Sequence, residues 1–307
     1  MNFTSNDNGS ATLLTMLMAA VIITVGLGFN WLVKEHLKAS EGLKNKAEAI
    51  LKARSAFDTI LYLVLNGQVL QREIVPAAGS EISELKRLPL DGERVLLFDD
   101  IYVQAQDSNG MLSLVNLNTA AMERMIKKVG GMDSASGIIE SYLDWIDTDN
   151  LTRVNGAEDF YYKGQGLPYV PRNYAIQYKD EIQWIKGMDK ELYGKIEPYL
   201  TILPSTAFNP NTASDEVLMA YLDINEDSLK VLKEYISKMP VRSDMELFAL
   251  TGRRIVSDIE GVYFSPSPFI EITMSVGRPK SIYTIKVGLD TRQNMRSPYG
   301  VLYWREE

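Results

Sequence analysis

The 307-residue chain has no cysteine, which excludes disulfide frameworks, zinc-thiolate sites and thiol nucleophiles. Histidine is almost missing too, since His36 is the single one. A lone imidazole leaves no two-His metal site and argues against Ser-His-Asp chemistry. Basic charge is in deficit: 40 Asp and Glu stand against 32 Lys and Arg, a formal net charge of -8. Phosphate-backbone binding needs the opposite balance, with clustered cations in excess. The N-terminal region lacks charge altogether between Asp7 and Lys34.

That charge-free stretch, ATLLTMLMAAVIITVGLGFNWLV at 11–33, is long enough to cross a hydrocarbon core of about 30 Å as a helix, with Trp31 at its far end as an interfacial anchor. Beyond it Leu37, Leu43, Ala47, Ile50, Leu51, Phe57, Ile60, Leu61 and Val64 recur at helical spacing, and Gly67 is a stop signal. One helix is therefore expected over 10–66, apolar all round in its first half and amphipathic in its second.

Residues 68–92 read as a Gly/Pro/Ser-containing connector. RVLLF, IYVQAQ and MLSLVN follow as strands, with DSNG at 107–110 as a hairpin turn. From about Asn118 to Leu250 the pattern is helical, and FIEITMSV, SIYTIKVGLD and GVLYW return to strand composition. Strands on both sides of a helical block predict one sheet with a helical insertion, because each set alone would leave unpaired edges. Within the block, VNLNTAAMERMI and FNPNTASDEVLMAYL both run N-x-N-T-A into an amphipathic helix. Thr119 and Thr212 are placed to cap those helices, with Ser214 competing in the second.

The stretch DWIDTDNLTRVNGAEDFYY at 144–162 gathers Asp144, Asp147, Asp149, Glu158 and Asp159 around an Asn-Gly turn. Three readings compete: a catalytic acid pair, a metal loop, or a solvated turn. Catalytic carboxylates need asymmetric environments across a cleft, which a run of adjacent acids lacks. As a metal loop, Asp147, Asp149 and Glu158 take the first, third and twelfth places of an EF-hand count, but Leu151 and Thr152 fill the fifth and sixth, where a ligand and a Gly belong. Carboxylates drawn together without a counter-ion would repel, so a cation is a natural resolution if the loop folds back. Tyr161, Tyr162, Tyr169 and Tyr174 beside it suggest either a partner surface or local core.

In order along the chain, DSNGMLSLVNLN (107–118), DWIDTDNLTRVNGAEDFYY (144–162), ELYGKIEPYLTILP (191–204) and FNPNTASDEVL (208–218) follow an apolar helix that begins just after a Gly. This arrangement resembles the K-type minor pseudopilins of bacterial type II secretion. The resemblance implies an α+β, pilin-like fold with a long N-terminal transmembrane helix, an antiparallel sheet and a large inserted α-helical domain. The corresponding divisions are a leader at 1–9, the helix at 10–66, a pilin-like β domain at 67–116 and 261–307, and the insertion at 117–260 with helix-hairpin-helix-like repeats.

The same resemblance implies removal of the leader by a prepilin peptidase at Gly9-Ser10. It also implies structural calcium at Asp147, Asp149, Glu158 and Asp159, no enzymatic activity, and partnership with I-type and J-type minor pseudopilins and the major pseudopilin. Leu14 stands where ordinary pseudopilins carry a glutamate, an absence characteristic of the K-type member and suited to a tip position. The leader has no Lys or Arg, and the positive residues Lys34, Lys38, Lys44 and Lys46 follow the span. The positive-inside rule alone would therefore put the soluble part in the cytoplasm, whereas the resemblance places the chain in the bacterial inner membrane with that part in the periplasm. Two other functions compete: a tip subunit of a type IV pilus or competence system, and a helix-hairpin-helix nucleic-acid-binding membrane protein. Against the second, the hairpin at 222–227 has no Gly and three acids, so no nucleic acid is expected as a partner.

Overall fold

Helix α1 (Asn8–Asn66) runs for 59 residues, and no proline interrupts it because the first in the chain is Pro76. The structure, a computed structural model, describes residues 8–77, 79, 85–132, 135–254, 264–277, 282–293 and 296–307, with the backbone alone at 8–10. The expected leader therefore lies outside the described residues up to position 7, as do the ends 255–260 and 261–263 of the two expected domain segments. The chain divides into two units, Met1–Lys52 and Ala53–Glu307.

In the first unit Leu13, Leu14, Met16, Leu17, Ile22, Phe29 and Trp31 are all exposed, on every side of α1. Such a surface is unfavourable in water by about 25 cal/mol per Å² of apolar area, and hydrocarbon removes that penalty. Among the described residues this is the one helix long and apolar enough to cross a membrane. Thr15 and Thr24 return their hydroxyls to the carbonyls of Thr12 and Ala20, so neither presents an unpaired donor.

In the second unit, the last turns of α1 bury Ala53, Ala56, Phe57, Ile60, Leu63 and Val64, the three-and-four spacing of one helix face. That face meets a five-stranded antiparallel sheet of order β10-β9-β8-β5-β4, built from β4 (Val95–Phe98), β5 (Ile101–Asp107), β8 (Phe269–Val276), β9 (Tyr283–Asp290) and β10 (Gly300–Glu306). Phe57 packs edge-on against Trp304 of β10 at 5.0 Å between ring centroids. Alternate residues of β5 are buried, and the register sets Val103 opposite Met274 and Ala105 opposite Ile272.

β5 and β8 are neighbours in the sheet, and the helical block lies between them in sequence, as an inserted domain must. It contains α2 (Thr119–Gly130), α3 (Ser136–Ile146), α4 (Asp159–Gly164), α5 (Lys190–Ile196), α6 (Asp215–Leu222), α7 (Glu226–Lys238) and α8 (Asp244–Thr251) around a core of its own. Trp145, Tyr162, Phe208 and Met122 are among its largest buried side chains. Tyr161, Tyr162 and Tyr169 join that core, and Tyr174 stays exposed.

Three local expectations are corrected. DSNG is a buried 3-10 turn, not a hairpin: Asp107 caps it through the Asn109 N–H, and the following strand β6 (Leu112–Ser113) pairs in parallel with β7 (Leu200–Thr201). The connector at 68–92 holds three short strands, β1 (Gln68–Val69), β2 (Glu73–Val75) and β3 (Leu88–Pro89), joined in a small antiparallel sheet. Finally, Asn118 caps α2 and Ser214 caps α6; Thr119 is already the first helical residue, and Thr212 donates its hydroxyl to Asp107 instead. The Asn118 carboxamide reaches the N–H of Ala121, the third helical residue, which a side chain inside the first turn cannot do.

The exit and return of the insertion meet at one carboxylate. Asp107 is fully buried and accepts from the Asn109 and Ser267 N–H groups, the Thr212 hydroxyl and the Asn209 carboxamide. Ser108 and Ser267 hydroxyls lie 2.8 Å apart beside it. Burial pushes Asp107 up to about 6, with the four donors acting in the opposite direction.

Candidate metal centre

The acidic stretch begins on the last turn of α3, whose buried face carries Ser141, Tyr142, Asp144 and Trp145. Asp144 is thereby carried into the interior, and Asp147, three residues on, stands at the C-terminal cap with its N–H on the Leu143 carbonyl. The chain then doubles back. Asn155 clamps it to Glu140 of α3 through backbone and side-chain donors, and the Lys186 ammonium holds the Asn155 and Gly156 carbonyls. At Gly156 an added Cβ would fall 1.9 Å from Asp144 Oδ2, so only glycine lets the returning strand lie against that carboxylate. The return delivers Glu158 to the start of α4, where its side chain makes no capping bond and turns inward.

Ligand oxygens of Asp144, Asp147 and Glu158 lie within 4.8 Å of one another. Glu158 is 2% exposed, and neither of its oxygens has a hydrogen-bond partner; Asp147 Oδ1 is also buried and unpaired. Burial, then Asp144, Asp147 and Asp149, push the Glu158 carboxyl up to about 7. Among the described residues one cation enters the group: Arg153 Nη1 lies 2.5 Å from Asp144 Oδ1 and 2.5 Å from Asp147 Oδ2. Those bonds, first to Asp147 and then to Asp144, raise the pKa of the guanidinium and keep it charged.

With all three carboxylates ionised, one guanidinium leaves two negative charges, and the unpaired oxygens mark where the compensation is missing. The donor set is oxygen alone, which suits a hard divalent cation such as calcium and gives a soft metal nothing to hold. The residues fit such an ion.

Of the residues expected as ligands, Asp147 and Glu158 come together and Asp149 and Asp159 do not join them. Asp149 is exposed and accepts from the Leu151 N–H at 2.8 Å, a local turn contact. Asp159 pairs with Lys163 one turn along α4 at 2.5 Å. Asp144 takes the third place. Its signal in the sequence was its i, i+3 relation to Asp147 at a helix end, which puts both carboxylates on one side. Gly9 and Ser10 lie in the first turn of α1.

Residues 103–205 match the family described as type II secretion system (T2SS), protein K. The type II secretion system protein K of Pectobacterium carotovorum subsp. carotovorum is 26% identical over 270 residues, 81% of this chain and 80% of its own length. That of Aeromonas hydrophila is 27% identical over 180 residues, 53% of this chain and 54% of its own length. A putative type II secretion system protein K of Escherichia coli (strain K12) is 31% identical over 107 residues, 34% of this chain and 33% of its own length. The fold is similar to a chain in the crystal structure of the GspK-GspI-GspJ complex from the enterotoxigenic Escherichia coli type 2 secretion system. That likeness has a TM-score of 0.54 at 18% identity and covers 90% of this chain and 99% of the other.

Proposed function

We propose that the chain is a member of the type II secretion system protein K family and, from that premise, a minor pseudopilin at the tip of the secretion pseudopilus. There it starts or caps filament assembly for protein export across the outer membrane. The observation that carries this reading is the family match over 103–205, set in a chain whose order is long apolar helix, sheet, helical insertion, sheet. Its work is assembly, with no catalytic step.

A prepilin peptidase removes the leader at Gly9-Ser10, and the apolar first half of α1 holds the subunit in the inner membrane with the remainder in the periplasm. Leu14, the fifth residue after that bond, offers no carboxylate to the N-terminal amine of a neighbour above. A subunit that needs no such neighbour suits the end of a filament. Its partners are an I-type and a J-type minor pseudopilin, as in the complex named for the solved relative, and below them the major pseudopilin. Asp144, Asp147 and Glu158 hold one structural calcium ion, whose charge offsets theirs and pins the segment between α3 and α4.

Expression in a bacterium deleted for its own K-type subunit tests the reading through two outputs. Export of a folded substrate should return, and the membrane-bound chain should begin at Ser10. An unprocessed chain with no export would count against it.

A further inference from the structure

Resting on the metal centre proposed above, we infer that Arg153 is a built-in competitor for the cation: its guanidinium takes the ion's place and leaves for solvent when a divalent cation binds. Nη1 bonds both Asp144 Oδ1 and Asp147 Oδ2, so it stands between two oxygens that a calcium ion held by these carboxylates would bridge. A cation bridging those two carboxylates and Nη1 cannot occupy the same volume.

The guanidinium is an incomplete substitute. It engages Asp144 and Asp147 and leaves both oxygens of the buried Glu158, and Asp147 Oδ1, with no partner. A planar group tethered through Cζ delivers its nitrogen along one direction. A spherical ion can bond to all three carboxylates, whose oxygens fit within 4.8 Å.

The route of exchange is open from the Arg153 side. The Arg153 side chain is 37% exposed while that of Asp144 is fully buried, so the guanidinium can leave without unpacking α3. The backbone N–H of Arg153 separately donates to Asp144 Oδ2 at 3.2 Å, which keeps the loop seated when the head group swings away. Without the ion, Arg153 spares the buried Asp144 and the half-buried Asp147 carboxylates from facing each other uncompensated. Its cost is affinity, because the ion binds only the fraction of molecules in which the guanidinium is out.

Calorimetric titration of calcium into the full chain in detergent micelles, wild type beside Arg153→Gln, tests this. The variant is expected to bind about tenfold tighter, as it would if the inserted form outweighs the open one by about ten to one. It should also melt lower without calcium and gain more from it. Equal or weaker binding by the variant, with the wild type binding, would overturn the competitor and leave the metal centre standing. Binding by neither would overturn both. A second readout avoids any folding defect of the variant: in the wild-type chain the Arg153 guanidinium NMR signals should move to the position of a free arginine on calcium saturation. Signals that stay in place would overturn the proposal.

Discussion

Glu158 is a buried carboxylate with no partner, pushed up to about 7 by burial and three neighbouring aspartates. Glu158→Gln keeps its shape and removes its charge. In a calcium-free solution at pH 8 the variant should be more stable than the wild type by about 1–2 kcal/mol, and calcium should no longer raise its melting temperature. A calcium response like that of the wild type would remove Glu158 from the ligand set. Asp107 makes a prediction of the opposite kind, because its four donors already pair it. Asp107→Ala strands those donors in the interior and should cost about 2–4 kcal/mol by urea unfolding. The wild-type carboxyl should titrate by NMR with a midpoint near 6. Its folded pKa lies above its ordinary one, so the folded state binds the extra proton between about pH 4 and 6. Stability from this group is therefore full below about pH 4 and lost as the pH rises through 6. Composition made the acidic cluster at 144–159 visible, but the sorting of its members was not. Which carboxylates converge depends on the close approach at Gly156 and on Lys163 drawing Asp159 away.

Elements were the most legible scale, because amphipathic spacing and strand alternation are local: α3, α7, β8 and β9 occur within a residue or two of where the pattern puts them. The junctions were less so. DSNG has the composition of a hairpin turn, yet buried bonds from Ser267, Thr212 and Asn209, all more than 100 positions away, hold it as a 3-10 turn. Such partners cannot be read from a four-residue window. The same holds at the N-x-N-T-A repeats, and there the two capping assignments separate by mutation. Asn118→Ala and Ser214→Ala should each lower stability by about 1 kcal/mol, whereas Thr119→Ala should cost little. Thr212→Ala should cost about 1–3 kcal/mol through Asp107, with no role for a helix cap. Equal effects of Asn118→Ala and Thr119→Ala in thermal unfolding would contradict the observed cap. Gly156→Ala drives a methyl group toward Asp144 Oδ2, so it should both destabilise by about 1–3 kcal/mol and weaken calcium binding in the same calorimetric assay.

On the scale of the whole chain, the order helix, strands, helices, strands implied an insertion before any contact was known, since short strands left apart would expose their edges. The sheet realises this by pairing β5 with β8 across the inserted domain, with exit and return tied at Asp107 and Ser267. The first part of α1 carries an apolar surface suited to lipid, and its last turns supply a buried face to the core. In the pseudopilin role proposed above, the apolar stretch would pass from bilayer to filament while the sheet and the inserted domain keep their fold. Co-assembly with the two minor pseudopilins is the decisive experiment for this role. The full chain, co-expressed with an I-type and a J-type minor pseudopilin and extracted in detergent, should run in native mass spectrometry as a complex holding one copy of each. A chain that remains monomeric in the presence of both, with calcium supplied, would contradict the account.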